Sequence, residues 1–112
     1  MPYGIKIPLE DDTVNSNITS TNVTIIVQNC RRYGNVVTFN CIIDTTALAG
    51  NPVIITLPWK ADGRYDFLMS NQSGQHGALY FADGSNDIVL NNGSTPISAA
   101  RYIITGTYIT SE

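Results

Sequence analysis

A chain of 112 residues is long enough for one domain with its own core, and only 13% of it is charged, about half the usual share of roughly 25%. Six basic residues against nine acidic ones, with no basic stripe, exclude nucleic acid as a partner, because that affinity rests on Lys and Arg neutralising phosphates. No apolar run approaches the roughly 20 residues of a membrane-spanning helix, and the opening MPYGIKIPLEDD lacks the regions of a signal peptide, so the chain reads as soluble with no membrane partner.

In chain order, a first short strand is expected at Ile5–Leu9, followed by the low-complexity stretch DDTVNSNITSTN at residues 11–22. Residues 1–21 read as an N-terminal segment or arm, and residues 22–112 as a β-sandwich domain. Within that domain, strands are expected at Val23–Gln28, Asn35–Asp44, Val53–Leu57, Tyr65–Met69, Ala78–Phe81, Asp87–Leu90 and Arg101–Ile109. β-Branched residues crowd these segments, leucine is sparse, and no segment has a helical period. Between them stand RYGN, ALAGNP, KADGR, SNQSGQHG, ADGSN and NNGSTP, rich in the residues that turns demand. The expected fold is all-β: a single-domain jelly-roll-like sandwich or small β-barrel of about seven or eight antiparallel strands.

Cys30 and Cys41 flank a turn in QNCRRYGNVVTFNC. A turn centred on Tyr33-Gly34 or Gly34-Asn35 sets Cys30 opposite Val37 or Phe39, which leaves Cys41 at least a diagonal position away, about 7–8 Å. A disulfide wants its Cβ atoms about 3.8 Å apart, so the bridge does not close in these registers, although a turn on Asn35-Val36 would oppose the pair. One histidine and no CxxC fall short of a zinc set. The expectation is two reduced, packed thiols and a reducing compartment.

Read together, RRYGNVVTFNCIID, TTALAGNPVIITLP, the turn ADG before SNDIVLNN, and the close ISAARYIITGTYIT form an ordered series over roughly residues 22–110. This series resembles the C-terminal head domain of bacteriophage and prophage tail or baseplate proteins. One departure is Tyr65, where such proteins commonly carry a proline after Gly-x-Arg. The resemblance implies a receptor-binding head on the virion tail or baseplate, made in the bacterial cytoplasm. It implies a homotrimer that contacts host cell-wall saccharide or polysaccharide beside other tail proteins. The alternative is a structural trimerisation or attachment domain with no ligand of its own.

Saccharide recognition needs an aromatic face against the sugar's C–H side and planar hydrogen-bonding groups at its hydroxyls. The loop WKADGRYD supplies Trp59, Asp62, Arg64, Tyr65 and Asp66; packing of Trp59 beside Pro58 at the core edge is the competing reading. His76 in SGQHGALYF, Tyr80 and Asp83 complete the candidate set, with an ordinary solvent-exposed loop histidine as the alternative for His76. DGSND at 83–87 starts like a calcium loop, but Ile88 and Ser94 stand where an EF-hand wants Gly and Glu, so it reads as a turn. No metal and no cofactor are expected. Neither G-x-S-x-G nor a dinucleotide glycine motif is present, and the aspartates sit in turns that already explain them, so the expectation is binding without catalysis.

Overall fold

The structure, a computed structural model, describes residues 14–112. The strand expected at Ile5–Leu9 lies outside the described residues. Nine strands follow in chain order: β1 Val14–Asn15, β2 Thr19–Ser20, β3 Thr24–Tyr33, β4 Val36–Asp44, β5 Val53–Thr56, β6 Tyr65–Ser70, β7 His76–Phe81, β8 Asp87–Leu90 and β9 Arg101–Ile109. Every pairing is antiparallel, and among the described residues there is no helix.

The long hairpin β3–β4 turns on Gly34-Asn35, because Tyr33 pairs with Val36. Gly34 has φ 58°, the positive value that the first central residue of a II′ turn requires and that glycine adopts without steric cost. From that turn the register follows, and Cys30 lies opposite Phe39 while Cys41 lies opposite Gln28. Both thiols are free and buried, as the sequence led us to expect. Burial pushes both up to about 11, since a thiolate there would lose its solvation.

Alternation decides what β4 and β9 bury. Val37, Phe39, Cys41 and Ile43 point inward from β4 and Tyr102, Ile104 and Tyr108 from β9, all at most 1% exposed. The intervening Thr38, Asn40, Thr105 and Thr107 stay outside. A tyrosine buried this deeply needs a partner for its hydroxyl, or desolvation would offset the ring's apolar gain. Tyr108 donates to the Trp59 carbonyl at 2.7 Å and Tyr102 to that of Ser98 at 3.0 Å.

The strands form one sheet in the order β1-β3-β4-β9-β6-β7-β8-β5-β2, which curls into a nearly closed barrel-like shape. Its two halves join where β9 meets β6, and that pairing comprises only Met69↔Ile104 and Ser70↔Ile103. Beyond it the strands diverge, and aromatic rings fill the gap. Phe67 stands edge-on to Phe39 at 5.4 Å, Tyr65 stacks on Phe67 at 6.2 Å, and Phe81 packs against Tyr108 at 4.8 Å. Gly106 lies beneath these rings.

The opposite seam is closed by residues 14–20, which the sequence presented as part of a joining arm. These residues form β1 on one edge of the sheet and β2 on the other. Between them the Ser16 N–H donates to the Cys30 carbonyl at 3.0 Å, the Ile18 N–H donates to Gln28 Oε1, and the Ile18 side chain is 2% exposed. The expected all-β sandwich or small barrel is the observed class, and these two short edge strands raise the strand number to nine.

A Cβ on Gly106 would lie 2.6 Å from the Phe67 ring and 2.8 Å from that of the fully buried Phe39, so a rigid ring would have to shift. Gly106→Ala is therefore expected to cost about 1–3 kcal/mol in urea unfolding. Gly77→Ala should cost clearly less, because the 2.8 Å contact there is with the flexible end of Met69. Equal losses would contradict this account of the seam.

The thiols supply a pH test. Their folded values lie near 11, above the value of about 8.5 in an unfolded chain, so their contribution to stability is complete below pH 8.5. It is lost as pH rises toward 11. The stability of the wild type should decline over that window more steeply than that of a Cys30→Ala, Cys41→Ala double variant, and native protein should resist a thiol reagent that labels both residues on unfolding.

Candidate functional site

The eight candidate side chains fall into three places. The first is a pair of interlocked turns. The Leu57 N–H donates to the Asn86 carbonyl at 2.8 Å, the Ala61 N–H to the Ser85 carbonyl at 2.9 Å, and the Gly84 N–H back to the Ala61 carbonyl at 2.8 Å. Asp83 Oδ1 accepts from the Gly63 N–H at 2.8 Å, and Asp62 Oδ2 accepts from Ser111 Oγ at 2.7 Å. Both carboxylates hold loop backbone or the C-terminal segment in place. Next to these turns, where β5 pairs with β8, Asp87 Oδ1 accepts from Thr56 Oγ1 at 2.7 Å. Among the described residues, no group of three or more His, Cys, Asp or Glu side chains is placed to hold a metal ion.

The second place is the packed interior edge. Trp59 is partly buried against the core, and the Arg32 guanidinium lies 5.4 Å above its ring. Arg32 also donates through Nη2 to the Glu112 carbonyl, so the indole is covered by a side chain that is itself tied down. Tyr65 points inward with Phe67, and its hydroxyl accepts the Ile109 N–H at 3.1 Å, which completes the hydrogen bonding of β9 where β6 has left it.

The third place is the outer face of the hairpin β6–β7, and here candidates meet. Side chains of a strand alternate between faces, so Asp66 and Leu68 of β6 share the outer surface with His76, Ala78 and Tyr80 of β7. Asp66 lies directly opposite Tyr80. Arg64, two residues before Asp66, binds Asp66 Oδ1 through Nη2 at 3.1 Å and sets its guanidinium 5.0 Å over the Tyr80 ring. Both charged side chains are more than half exposed, at 58% and 69%, so the pair is worth little to stability and its role is to fix orientation. Beside them Leu68 (61% exposed), Ala78 and Asn91 line an open cleft of about 520 Å³. The small side chain of Ala78 between longer neighbours makes the depression.

His76 stands on the same face, opposite Ser70, with a long 3.5 Å contact from Nδ1 to the Gly74 carbonyl. It lies four positions before Tyr80, about 13–14 Å along the strand. The structure therefore unites Arg64, Asp66 and Tyr80 in one cluster and aligns His76 with it at a distance. It does not bring Trp59, Asp62, Tyr65 or Asp83 to that surface.

Chemically the cleft offers a forked donor, a carboxylate acceptor and an amide from Asn91, with the Tyr80 ring beneath the guanidinium. The charges of Arg64 and Asp66 compensate each other, so the arrangement suits a neutral ligand with many hydroxyls. Leu68 and Asn91 were missed from the sequence. Leu68 could have been found, since it is an apolar residue at the polar phase of an alternating strand, Asp66-Phe67-Leu68-Met69-Ser70. No family model matches this chain, and no curated protein or solved structure is significantly similar to it.

Trp59 is the one tryptophan of the chain, which makes the cover over it measurable. Arg32→Ala is expected to raise acrylamide quenching of Trp59 fluorescence and shift the emission to longer wavelength. An unchanged spectrum would mean that Arg32 does not shield the indole.

Proposed function

We propose that this chain is a passive carbohydrate-recognition domain, a receptor-binding head of the phage or prophage tail and baseplate type, whose binding face is the outer surface of β6–β7. The observation that carries the reading is the cluster of Tyr80, Arg64 and Asp66 beside the open cleft. With the Tyr80 ring beneath the guanidinium, the cleft presents the Arg64 donors, the Asp66 carboxylate and the Asn91 amide beside apolar Leu68 and Ala78, the groups that a hydroxyl-rich, uncharged ligand needs. Catalysis has no part in this reading: Asp66 is the carboxylate of the cleft, and it is engaged by Arg64. The ligand is a host cell-wall saccharide or polysaccharide, and the site of action is the virion tail or baseplate.

The same domain assembles with copies of itself, as a homotrimer in the proposed setting. Tyr33, Val36 and Ile109 lie in direct cross-strand register on β3, β4 and β9 and are 40%, 39% and 39% exposed. This apolar row favours a second reading, a structural trimerisation or attachment domain without a ligand. The two differ in outcome, because the second predicts an oligomer that ignores host polysaccharide.

Monovalent affinity for wall saccharide is expected on the order of millimolar to micromolar, raised by multivalent display. Arg64→Ala and Tyr80→Ala should each weaken binding of purified host wall polysaccharide by about five- to tenfold, read by calorimetry or NMR titration. If the double variant binds as the wild type does, the site is elsewhere. If the wild type binds no wall material while forming an oligomer by solution mass, the structural reading replaces this one.

A further inference from the structure

At the far end of the same hairpin lies a second cleft, of about 470 Å³. Its floor is aliphatic, since Ile42 and Ile103 are paired across β4 and β9 on the outer surface. Its wall is the turn 71–75 between β6 and β7, and Arg101 closes another side.

The hydrogen bonds of that turn decide which groups remain for a ligand. Asn71 Oδ1 accepts the backbone N–H groups of Ser73 and Gln75, both at 3.1 Å, which fixes the orientation of its amide. Its Nδ2 therefore donates to Gln75 Oε1 at 2.9 Å. With its oxygen engaged, Gln75 offers Nε2, a donor. Arg101 gives Nε and Nη2 to the two carboxylate oxygens of Asp44 at 2.8 and 3.0 Å, so Nη1 remains and the charge is compensated. Two donors without net charge above an aliphatic floor match an uncharged carbonyl oxygen that carries a methyl group.

We propose that this cleft receives the acetamido group of an N-acetylated amino sugar, with its carbonyl oxygen on Gln75 Nε2 and Arg101 Nη1 and its methyl on Ile42 and Ile103. The assignment rests on the saccharide reading of the hairpin face and deepens it by naming the sugar class. Ser70 pairs with both His76 and Ile103, so a saccharide chain lying along the hairpin from Tyr80 reaches His76 after about 13–14 Å and then crosses two strand spacings, about 10 Å, to Ile103. The amino sugar is thus one unit of an oligosaccharide that also touches the Tyr80 end.

The test is an NMR titration of protein labelled at amide nitrogens and isoleucine methyls, with N-acetylglucosamine, glucose and N-acetylglycinamide as separate probes. N-acetylglucosamine should shift the Gln75 side-chain amide and the Ile103 methyl saturably, and the other two should not do so at equal concentration. Gln75→Leu, which leaves both backbone bonds to Asn71 Oδ1 intact, should weaken the response by about fivefold. Ile103→Ser, at a side chain 44% exposed, gives an independent variant with the same expected direction should the first fail to fold. Equal shifts with glucose would overturn the acetamido assignment, and equal shifts with N-acetylglycinamide would overturn the sugar in favour of a peptide. Silence at Gln75 and Ile103 while wall polysaccharide still moves Tyr80 and Arg64 would overturn this cleft alone. Silence at both ends would overturn the saccharide reading with it.

Discussion

The divergence of β9 from β6 over Gly106 is the constraint on which the curled sheet depends. A glycine there lets the rings of Phe39 and Phe67 descend onto the backbone, and their volume keeps the two strands from pairing further than Ile104. Freed from β9, the first half of β6 pairs only with β7, and the outer surface of that hairpin turns toward solvent. Both clefts follow from this one event. The first lies where β6 has left its neighbour, and the second lies where the remaining pairing brings the β6–β7 turn beside Ile103. Packing of the core and shape of the surface are thus set by the same few aromatic contacts.

A low charge density has a counterpart in how the charges present are used. Arg64 is answered by Asp66 and Arg101 by Asp44, each at the rim of a cleft. The hydrogen bonds from Arg101 hold the Asp44 carboxyl below its ordinary range, yet the pair is exposed, and solvent screens most of what it could add to stability. What such pairs contribute is geometry: a guanidinium held by a carboxylate keeps its remaining N–H groups aimed in one direction. A surface built in this way presents a hydrogen-bonding pattern rather than a net field.

The sequence made the interior legible wherever a strand alternates cleanly. Phe39, Cys41 and Ile43 declare their face, the glycine of Tyr33-Gly34-Asn35 declares the turn, and together they fix the register that keeps the two sulfurs apart. Residues 14–20 gave no such signal. They contain one buried apolar side chain, Ile18, and strands of two residues have no period to detect. The second half of β3, Asn-Cys-Arg-Arg-Tyr, looked like loop because its outward positions are polar and its pairing is set by β4 rather than by its own pattern. For the site, Arg64, Asp66 and Tyr80 were identifiable as residue types, but that they meet depends on the β6–β7 register. Trp59, Tyr65, Asp62 and Asp83 were equally suitable by type, and tertiary packing assigned them to structural work. The second cleft draws on residues 42, 71–75 and 101–103, and nothing local connects segments so distant along the chain.

The segment from β1 to β2 crosses from one margin of the folded sheet to the other, with Ile18 seated between. Tension arriving through residue 14 would therefore meet that crossing before it could reach β4 or β9. Its ladder pairs are few, so the stitch would yield first and leave the main hairpins intact.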